Sequence, residues 1–423
     1  MSWRRLGLLT LSLLMLAAGW VAWRNLAGEA PVQPRPAEPA PPASAEVLAR
    51  GAYLAQIGNC IGCHTARGGP LLAGGRPIAT PFGTAYSSNL TPDAGTGLGA
   101  WSASEFRRAL RHGRSRDGRL LLPAFPYPNF SRITPADADA LFAWLQSQPP
   151  VQQPAREHAL RAPFQWQLSI ALWRALYFRP EPEAPHAAPD GVRSAQWNRG
   201  RYLAEGVGHC SACHASRNLL GASSGRGGGV VSAQQWYAPS LHSAAEAGVA
   251  AWPEADVVAL LKTGVSPQAS ALGPMAEVVY RGTQHLSDDD ARAIASYLRA
   301  LPFEADPAPP FEPAPAETMA LGRRVYEQHC SDCHGAQGQG QAGAIRPLAG
   351  NRAVLLHESR NLINILRQGG FQPVTAGNPR PWGMPPFAGV LDDAELAAAA
   401  SFVRQSWGNR AATVQPLEVL QAR

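Results

Sequence analysis

The stretch Cys60-Ile-Gly-Cys63-His64 recurs twice in this chain, as Cys210-Ser-Ala-Cys213-His214 and as Cys330-Ser-Asp-Cys333-His334. The three copies contain all six cysteines of the 423 residues, so every cysteine belongs to a C-x-x-C pair that a histidine follows. No cysteine is left over for a disulfide, and six are too few for a disulfide scaffold. The repeated pentapeptide is therefore the feature from which the fold and the chemistry are inferred.

The spacing of this motif is typical of c-type haem attachment. Two thiols three positions apart can add to the two vinyl groups on one edge of a porphyrin, and the next residue places its imidazole under the iron. The sequence predicts three covalently bound haem c groups. Their attachment residues are Cys60, Cys63, Cys210, Cys213, Cys330 and Cys333, and their proximal iron ligands are His64, His214 and His334.

Zinc binding and thiol redox chemistry are the alternatives for a C-x-x-C pair. Structural zinc usually needs four ligands, so two pairs would have to meet and the third would be stranded. A thioredoxin-like motif needs a βαβ context, which the sequence around these pairs does not suggest. We therefore favour haem, whose covalent attachment occurs outside the cytoplasm.

A helical pattern surrounds each motif. A glycine opens a short helix before it, at Gly51, Gly200 and Gly322, and a second helix with an acidic start follows well after it. Thr134 and Ser287 are predicted N-caps of the second helix in the first two repeats. This layout predicts an all-α chain of three tandem class I cytochrome c domains joined by Pro-rich linkers.

The expected division of the chain has seven segments. They are a signal or membrane anchor at 1–30, a Pro/Ala-rich tether at 31–45, cytochrome domains at 46–147, 192–302 and 317–412, and linkers at 148–191 and 303–316.

Two segments predict membrane association. Arg4 and Arg5 precede an apolar run from Leu6 to Trp23, whose 18 residues make a helix of about 27 Å, just enough to span a bilayer. We favour a retained anchor over a cleaved signal peptide. Residues 163–178 predict an amphipathic helix, which either packs between the first two globules or docks on the membrane surface or on a catalytic subunit.

The sixth iron ligands are expected between each haem motif and the last helix of its repeat. A methionine thioether there favours the reduced iron. Met275 and Met384 lie in the expected loops, with ordinary core packing as their alternative role. The first repeat contains no methionine.

Four further stretches carry a family resemblance. Residues 115–118 (SRDG), 123–128 (PAFPYP), 273–279 (GPMAEVV) and 384–387 (MPPF) resemble, in the same order, the triheme cytochrome c subunit of bacterial membrane-bound dehydrogenases that face the periplasm. The resemblance implies a catalytic partner with PQQ or FAD, or with molybdenum in a related set. It also implies that electrons pass to ubiquinone or another respiratory acceptor. The departure is Phe125, where many members have methionine.

Because of Phe125, two predictions are made for the sixth ligand of the first haem. A phenyl ring has no lone pair for iron, so the position can only pack against the porphyrin. Either His112 replaces the methionine as an iron ligand, or the sixth site is open or weakly bound.

Composition excludes other functions. The formal charge is +6, but no run of five arginines or lysines occurs, so nucleic-acid binding is not predicted. No dinucleotide or Walker loop is present, and no catalytic residue is predicted. The sequence predicts an electron-transfer subunit on the periplasmic side of the inner membrane. The alternative is a stand-alone multihaem redox enzyme, peroxidase-like or oxidase-linked, that uses an open first haem.

Overall fold

The chain forms two compact units. The computed structural model describes residues 3–29, 43–181, 194–231, 235–302 and 311–422. Unit 1 comprises Met1–Val192, Glu205–His209 and Asn218–Ala222, and unit 2 comprises Arg193–Ala204, Cys210–Arg217 and Ser223–Arg423. Most of the predicted tether and parts of both predicted linkers, at 182–191 and 303–310, lie outside the described residues. The seven-segment division stays a prediction.

Unit 1 contains the first haem motif. Its helices are α1 (Trp3–Leu26), α2 (Ala45–Ile57), α3 (Cys60–His64), α4 (Ala103–His112), α5 (Tyr127–Phe130), α6 (Pro135–Gln146) and α7 (Gln167–Tyr177). Its strands β1 (Pro77–Thr80), β2 (Gly83–Tyr86) and β3 (Ala159–Leu160) form an antiparallel sheet in that order.

Unit 2 contains the second and third motifs. Its helices are α8 (Ala195–Arg201), α9 (Ser211–His214), α10 (Glu254–Thr263), α11 (Pro274–Arg281), α12 (Asp288–Arg299), α13 (Ala316–His329), α14 (Ser331–His334), α15 (Arg352–Leu355), α16 (Arg360–Gln368), α17 (Asp393–Gln405) and α18 (Pro416–Gln421). A π-helix at Tyr202–Val207 continues α8, and a 3₁₀ turn spans Thr283–His285. Two antiparallel ribbons pair β4 (Gly229–Val231) with β5 (Trp236–Ala238) and β6 (Gly370–Phe371) with β7 (Gly383–Met384).

The chain is mainly helical, and the all-α prediction is correct only in part. The strands of two to four residues that join the helices were not predicted. They lie in the irregular loops after each motif, where too few residues alternate in hydrophobicity to give a strand pattern.

The two helices that flank each motif cross at the predicted glycine. A Cβ atom on Gly51 would lie 2.1 Å from the Ala140 carbonyl oxygen of α6. A Cβ atom on Gly200 would lie 1.9 Å from the Ala293 carbonyl oxygen of α12, and one on Gly322 would lie 2.2 Å from the Ala398 carbonyl oxygen of α17. An aromatic residue one turn further along the last helix completes each crossing: Trp144, Tyr297 and Phe402. Only glycine permits helices to approach so closely.

The predicted N-caps are confirmed. The Thr134 hydroxyl accepts from the Asp137 amide, and the Ser287 hydroxyl accepts from the Asp290 amide. The carboxylate of Asp137 also accepts two hydrogen bonds, of 2.9 and 2.8 Å, from Arg50, which precedes Gly51. In the second repeat Arg199 and Asp290 form the same pair.

The apolar N-terminal segment forms helix α1. Among the described helices it alone is long and apolar enough to cross a membrane, and none of its residues is buried. Its C-terminal end packs on α7, where Arg24 donates to the Ala175 and Phe178 carbonyls. The predicted amphipathic segment is therefore helical from Gln167 to Tyr177, and its inner face meets α1.

The second and third repeats are held together within unit 2. Asn361 of α16 pairs with β5 as a strand would: its Oδ1 accepts from the Tyr237 amide at 2.8 Å, and its Nδ2 donates to the Tyr237 carbonyl at 2.7 Å. The guanidinium of Arg352 donates to the Ala244 and Gly248 carbonyls. These contacts make one compact unit of two repeats that were expected to be separate globules.

The glycine crossing predicts a severe effect of a single methyl group. Gly322→Ala should destabilise unit 2 by roughly 1–3 kcal/mol, because the added Cβ collides with backbone rather than with a movable side chain. Thermal unfolding followed by circular dichroism measures this as a lower Tm. Gly389→Ala is the matched control, since a Cβ there meets nothing within 4 Å. An equal Tm for the two variants would contradict the prediction.

Candidate haem sites

The three motifs form short helices that present their cysteines alike. The two cysteines of a motif are three positions apart, and such residues lie on the same face of a helix. The second cysteine is exposed in every motif and the first is half-buried. No disulfide joins the cysteines that the structure describes. Each pair therefore offers two thiols side by side, as addition to one porphyrin edge requires.

Backbone carbonyls orient the first two motif histidines. His64 Nδ1 lies 2.7 Å from the Ser88 carbonyl oxygen, and His214 Nδ1 lies 2.7 Å from that of Pro239. Since a carbonyl only accepts, Nδ1 carries the proton and Nε2 is the nitrogen left to bind a metal. His334 Nδ1 is buried with no hydrogen-bond partner among the described residues.

A side-chain donor supports the backbone of each motif. The guanidinium of Arg76 donates to the Gly62 carbonyl, and that of Arg217 donates to Ala212, which is the equivalent residue of the second motif. In the third motif the Gln341 amide reaches the corresponding Asp332 carbonyl at 3.4 Å. Sequence reasoning missed these donors, although each follows its motif closely enough to have been sought.

The raised pKa values of two motif thiols do not suit thiol redox chemistry. Burial raises the pKa of Cys60 to about 12, with the neighbouring Cys63 adding to the rise, and burial raises the pKa of Cys330 to about 11. Reactive C-x-x-C thiols have a lowered pKa instead. Burial lowers the pKa of His64, so its imidazole is neutral, which is the form that binds iron.

A structural zinc site needs four side-chain ligands close together. Within the described ranges no group of three or more His, Cys, Asp or Glu side chains is placed to hold a metal ion. The described residues therefore give no support to the zinc alternative.

Met384 and Phe125 occupy comparable places in their repeats. Met384 packs against a buried cluster that includes Ile363 and Leu366 of α16. Phe125 packs against a cluster that includes Phe106 and Leu110 of α4, the helix that precedes it in the first repeat. Cys60 borders the same cluster as Phe125. Met275 lies in the first turn of α11 and is half-buried.

His112 ends helix α4 beside a charged cluster. Its carbonyl accepts a hydrogen bond from Arg174, and burial lowers the pKa of its imidazole while Glu29 opposes the shift. Glu29 also pairs with Arg114 at 2.9 Å. The structure thus places His112 near the end of α1. Iron ligation by His112, Met275 and Met384 stays a prediction.

The residues around the first motif fit a haem. The imidazole of His64 is oriented by Ser88, the thiols lie on one helical face, and the cluster beside Cys60 is apolar, with Leu98, Phe106 and Phe130 buried. Gly74 has a φ of 78°, and a Cβ on it would lie 2.5 Å from the carbonyl carbon of Ser88. This close approach lets the segment that carries Ser88 pass behind the imidazole.

Comparison with known proteins identifies the family. The cytochrome c family profile matches residues 48–149 and 319–407. The chain is 36% identical over 408 residues to the cytochrome c subunit of alcohol dehydrogenase (quinone) of Gluconacetobacter polyoxogenes, covering 90% of this chain and 85% of that protein. It is also 36% identical to the gluconate 2-dehydrogenase cytochrome c subunit of Pantoea cypripedii, over 89% of each chain.

A relative of another kind contains a similar sequence within a longer chain. This relative is one of the subunits of nicotinate dehydrogenase from Pseudomonas putida, and it is 41% identical over 374 residues, which are 85% of this chain and 30% of that protein. The resemblance inferred from the SRDG, PAFPYP, GPMAEVV and MPPF stretches is confirmed by these matches. Membership of a cytochrome c family implies covalent haem c. The chain belongs to the family of cytochrome c subunits of bacterial dehydrogenase complexes.

Proposed function

We propose that this chain carries electrons through three covalent haem c groups, from a separate dehydrogenase subunit to ubiquinone or another respiratory acceptor. The proposal rests on one observation: the same local arrangement of helices and hydrogen bonds surrounds all three motifs. Each motif helix follows a helix that crosses the last helix of its repeat at a glycine, and each has a side-chain donor on the same motif carbonyl. Three such sites in one chain suit a series of one-electron centres.

The residues of the chain would hold and tune the groups. When bound, haem supplies reversible one-electron chemistry at its iron. The cysteine pairs would hold the porphyrin edge. The Ser88 and Pro239 carbonyls accept from Nδ1 of His64 and His214, which would leave Nε2 available to bind the iron. In the proposal, the thioethers of Met275 and Met384 favour the reduced state of the second and third irons.

Unit 2 is suited to electron transfer between the haem sites of the second and third repeats. Asn364 is fully buried and donates to the Gln235 carbonyl at 2.8 Å, one turn of α16 beyond the Asn361 contacts with β5. Because these bonds join the second and third repeats, they would hold the distance between the two haems constant. A constant distance makes the transfer rate independent of any motion between repeats.

The electrons would come from another chain. The relatives are named as subunits of alcohol, gluconate and nicotinate dehydrogenases, so their common feature is the cytochrome and not the substrate. We propose that a catalytic subunit with its own PQQ, FAD or molybdenum cofactor reduces this chain. The second candidate, a stand-alone multihaem enzyme, needs an open haem with its own substrate.

We also propose that α1 is retained and that α7 lies in the membrane interface beside it. Arg24 and Asn25 at the end of α1 donate to three carbonyls of the segment that includes α7. Glu29, only 11% exposed, accepts from Arg114. A removable signal peptide has no need of such contacts with the folded body. The outer face of α7 exposes Leu168, Leu172 and Leu176, which suits insertion among lipids on the periplasmic side.

Purification from native membranes tests the electron-transfer proposal. We expect a tagged chain to bring with it a larger catalytic subunit, to contain three haems per chain by mass, and to be reduced by the substrate of that subunit. The chain freed of its partner should not oxidise the substrate. Steady peroxide turnover by the isolated chain, with no partner recovered, would favour the stand-alone enzyme instead.

Replacement of Met384 tests the sixth ligand of the third haem. Met384→Leu should lower the reduction potential of one haem and allow its reduced form to bind carbon monoxide, because the thioether is lost while apolar packing is kept. Potentiometric titration and visible spectra measure both effects. Met319→Leu is the matched control, since Met319 packs at the edge of another apolar cluster in the same repeat. An unchanged potential in Met384→Leu would refute the assignment.

Cleavage of the segment between α1 and α2 tests the role of α7. In liposomes that hold only this chain, a protease site is inserted within residues 30–42, and Arg24, Asn25 and Arg114 are changed to alanine so that α1 no longer holds the body. The cleaved body with wild-type α7 should then stay bound. Glutamate at Leu168, Leu172 and Leu176 should release it, because each buried leucine contributes roughly 1.5–3 kcal/mol. The control carries glutamate at the exposed Leu417 and Leu420 of α18 and should remain bound. Release of the body with wild-type α7 would contradict lipid docking and leave the catalytic subunit as the partner of α7.

A further inference from the structure

We propose that the first haem has no side chain as its sixth ligand and binds a small uncharged gas, such as carbon monoxide or nitric oxide, beside Phe125. The inference goes beyond electron transfer and rests on haem attachment at Cys60, Cys63 and His64. With Met275 and Met384 as the proposed ligands of the other two irons, the first repeat alone would bind such a gas.

The first step is the structural equivalence of Phe125 and Met384. Each is followed by proline and packs against an apolar cluster to which an earlier helix of its repeat contributes, α4 for Phe125 and α16 for Met384. Both helices also pack on the last helix itself, α6 or α17. Phe125 therefore stands where the third repeat has its candidate thioether, and a phenyl ring offers iron no lone pair.

The second step is that the loop around Phe125 is fixed. The Phe125 ring centre lies 5.3 Å from that of Phe130 and 6.4 Å from that of Tyr127. Tyr127 is fully buried and packs edge-on against Phe178 at 4.8 Å. A Cβ on Gly113 would lie 2.6 Å from the Tyr127 ring, so this ring also fills the space beside the end of α4. Little room remains for the loop to rearrange and supply another ligand.

Tyr127 itself is a poor substitute ligand. Burial raises the pKa of its phenol to about 12, so it stays protonated at physiological pH. A neutral phenol binds iron weakly. The ring of Tyr127 is instead engaged by Arg174, whose guanidinium carbon lies 5.3 Å from its centre.

The third step is that the backbone at His112 is held in place. Its carbonyl accepts from Arg174, a residue only 4% exposed, and Arg174 also donates to Asn25 Oδ1 at 2.9 Å. The charged groups that face the His112 imidazole are Glu29 after α1, Arg111 and Arg114 around the end of α4, and Arg174 of α7. A backbone movement that brought His112 closer to the iron would break these contacts, which join α1 to the rest of unit 1.

The lining of the site selects the ligand class. The cluster beside Cys60 and Phe125 consists of apolar side chains, among them Leu98, Phe106 and Phe130. Apolar surroundings disfavour the transfer of a charged ligand out of water but not that of a neutral diatomic gas. We therefore expect carbon monoxide to bind more readily than azide or cyanide.

The test is a carbon monoxide titration of the reduced full chain, purified in detergent. Mass spectrometry first establishes whether haem is attached at Cys60 and Cys63. A chain without haem there would refute the attachment and this inference with it, whereas a chain that has this haem but binds no carbon monoxide would refute the inference alone. We expect one third of the haem to bind carbon monoxide, and one third to be high-spin by EPR when oxidised. Phe125→Met should abolish carbon monoxide binding by restoring a thioether, and Phe125→Leu should preserve it and speed association.

His112→Ala and Met319→Leu complete the design. Both should leave the stoichiometry of carbon monoxide binding unchanged. If the wild-type chain binds none and His112→Ala binds one, His112 is the sixth ligand and the proposal is wrong. Three low-spin haems in the wild-type chain, with no carbon monoxide binding in any of these variants, would overturn it as well.

Discussion

Each repeat depends on one close approach between two helices. The helix before the motif lies so near the last helix that a single Cβ, at Gly51, Gly200 or Gly322, would come within about 2 Å of a carbonyl oxygen. In the first repeat only two residues separate the end of α2 at Ile57 from Cys60. The crossing therefore sets where the cysteines and the following histidine point. The packing of the two helices thus determines the positions of the haem-binding residues that follow them.

The features that sequence reasoning predicted are those with a local signature. The motif, the glycines and the caps Thr134 and Ser287 each lie within a few residues of the element they define, and the structure has the crossings and caps at those positions. The acceptors for His64 and His214 are carbonyls 24 and 25 residues away. Any residue type can present a carbonyl, so no residue pattern marks them.

The number of units could not be read from composition. Pro-rich segments predict separation of all three repeats, yet Asn361 and Arg352 join the second to the third through backbone carbonyls and amides of the partner repeat. Two polar side chains, one on α15 and one on α16, form no sequence pattern from which an interface could be predicted. The predicted linker after the first repeat likewise contains Arg174, which is buried in unit 1. A Pro-rich composition therefore indicates that a segment joins two repeats along the chain, but it does not show that the repeats pack separately.

The departures of the first repeat from the other two meet at the end of helix α4. Arg114 pairs with Glu29, and Arg174 joins the His112 carbonyl to Asn25, so this turn fastens α1 to the folded body. Buried charges are stable only when they are paired, and removing one partner costs several kcal/mol. The backbone at His112 is therefore costly to move. In the proposal, the contacts that secure α1 and the phenyl ring at Phe125 together leave the first iron without a side chain as its sixth ligand.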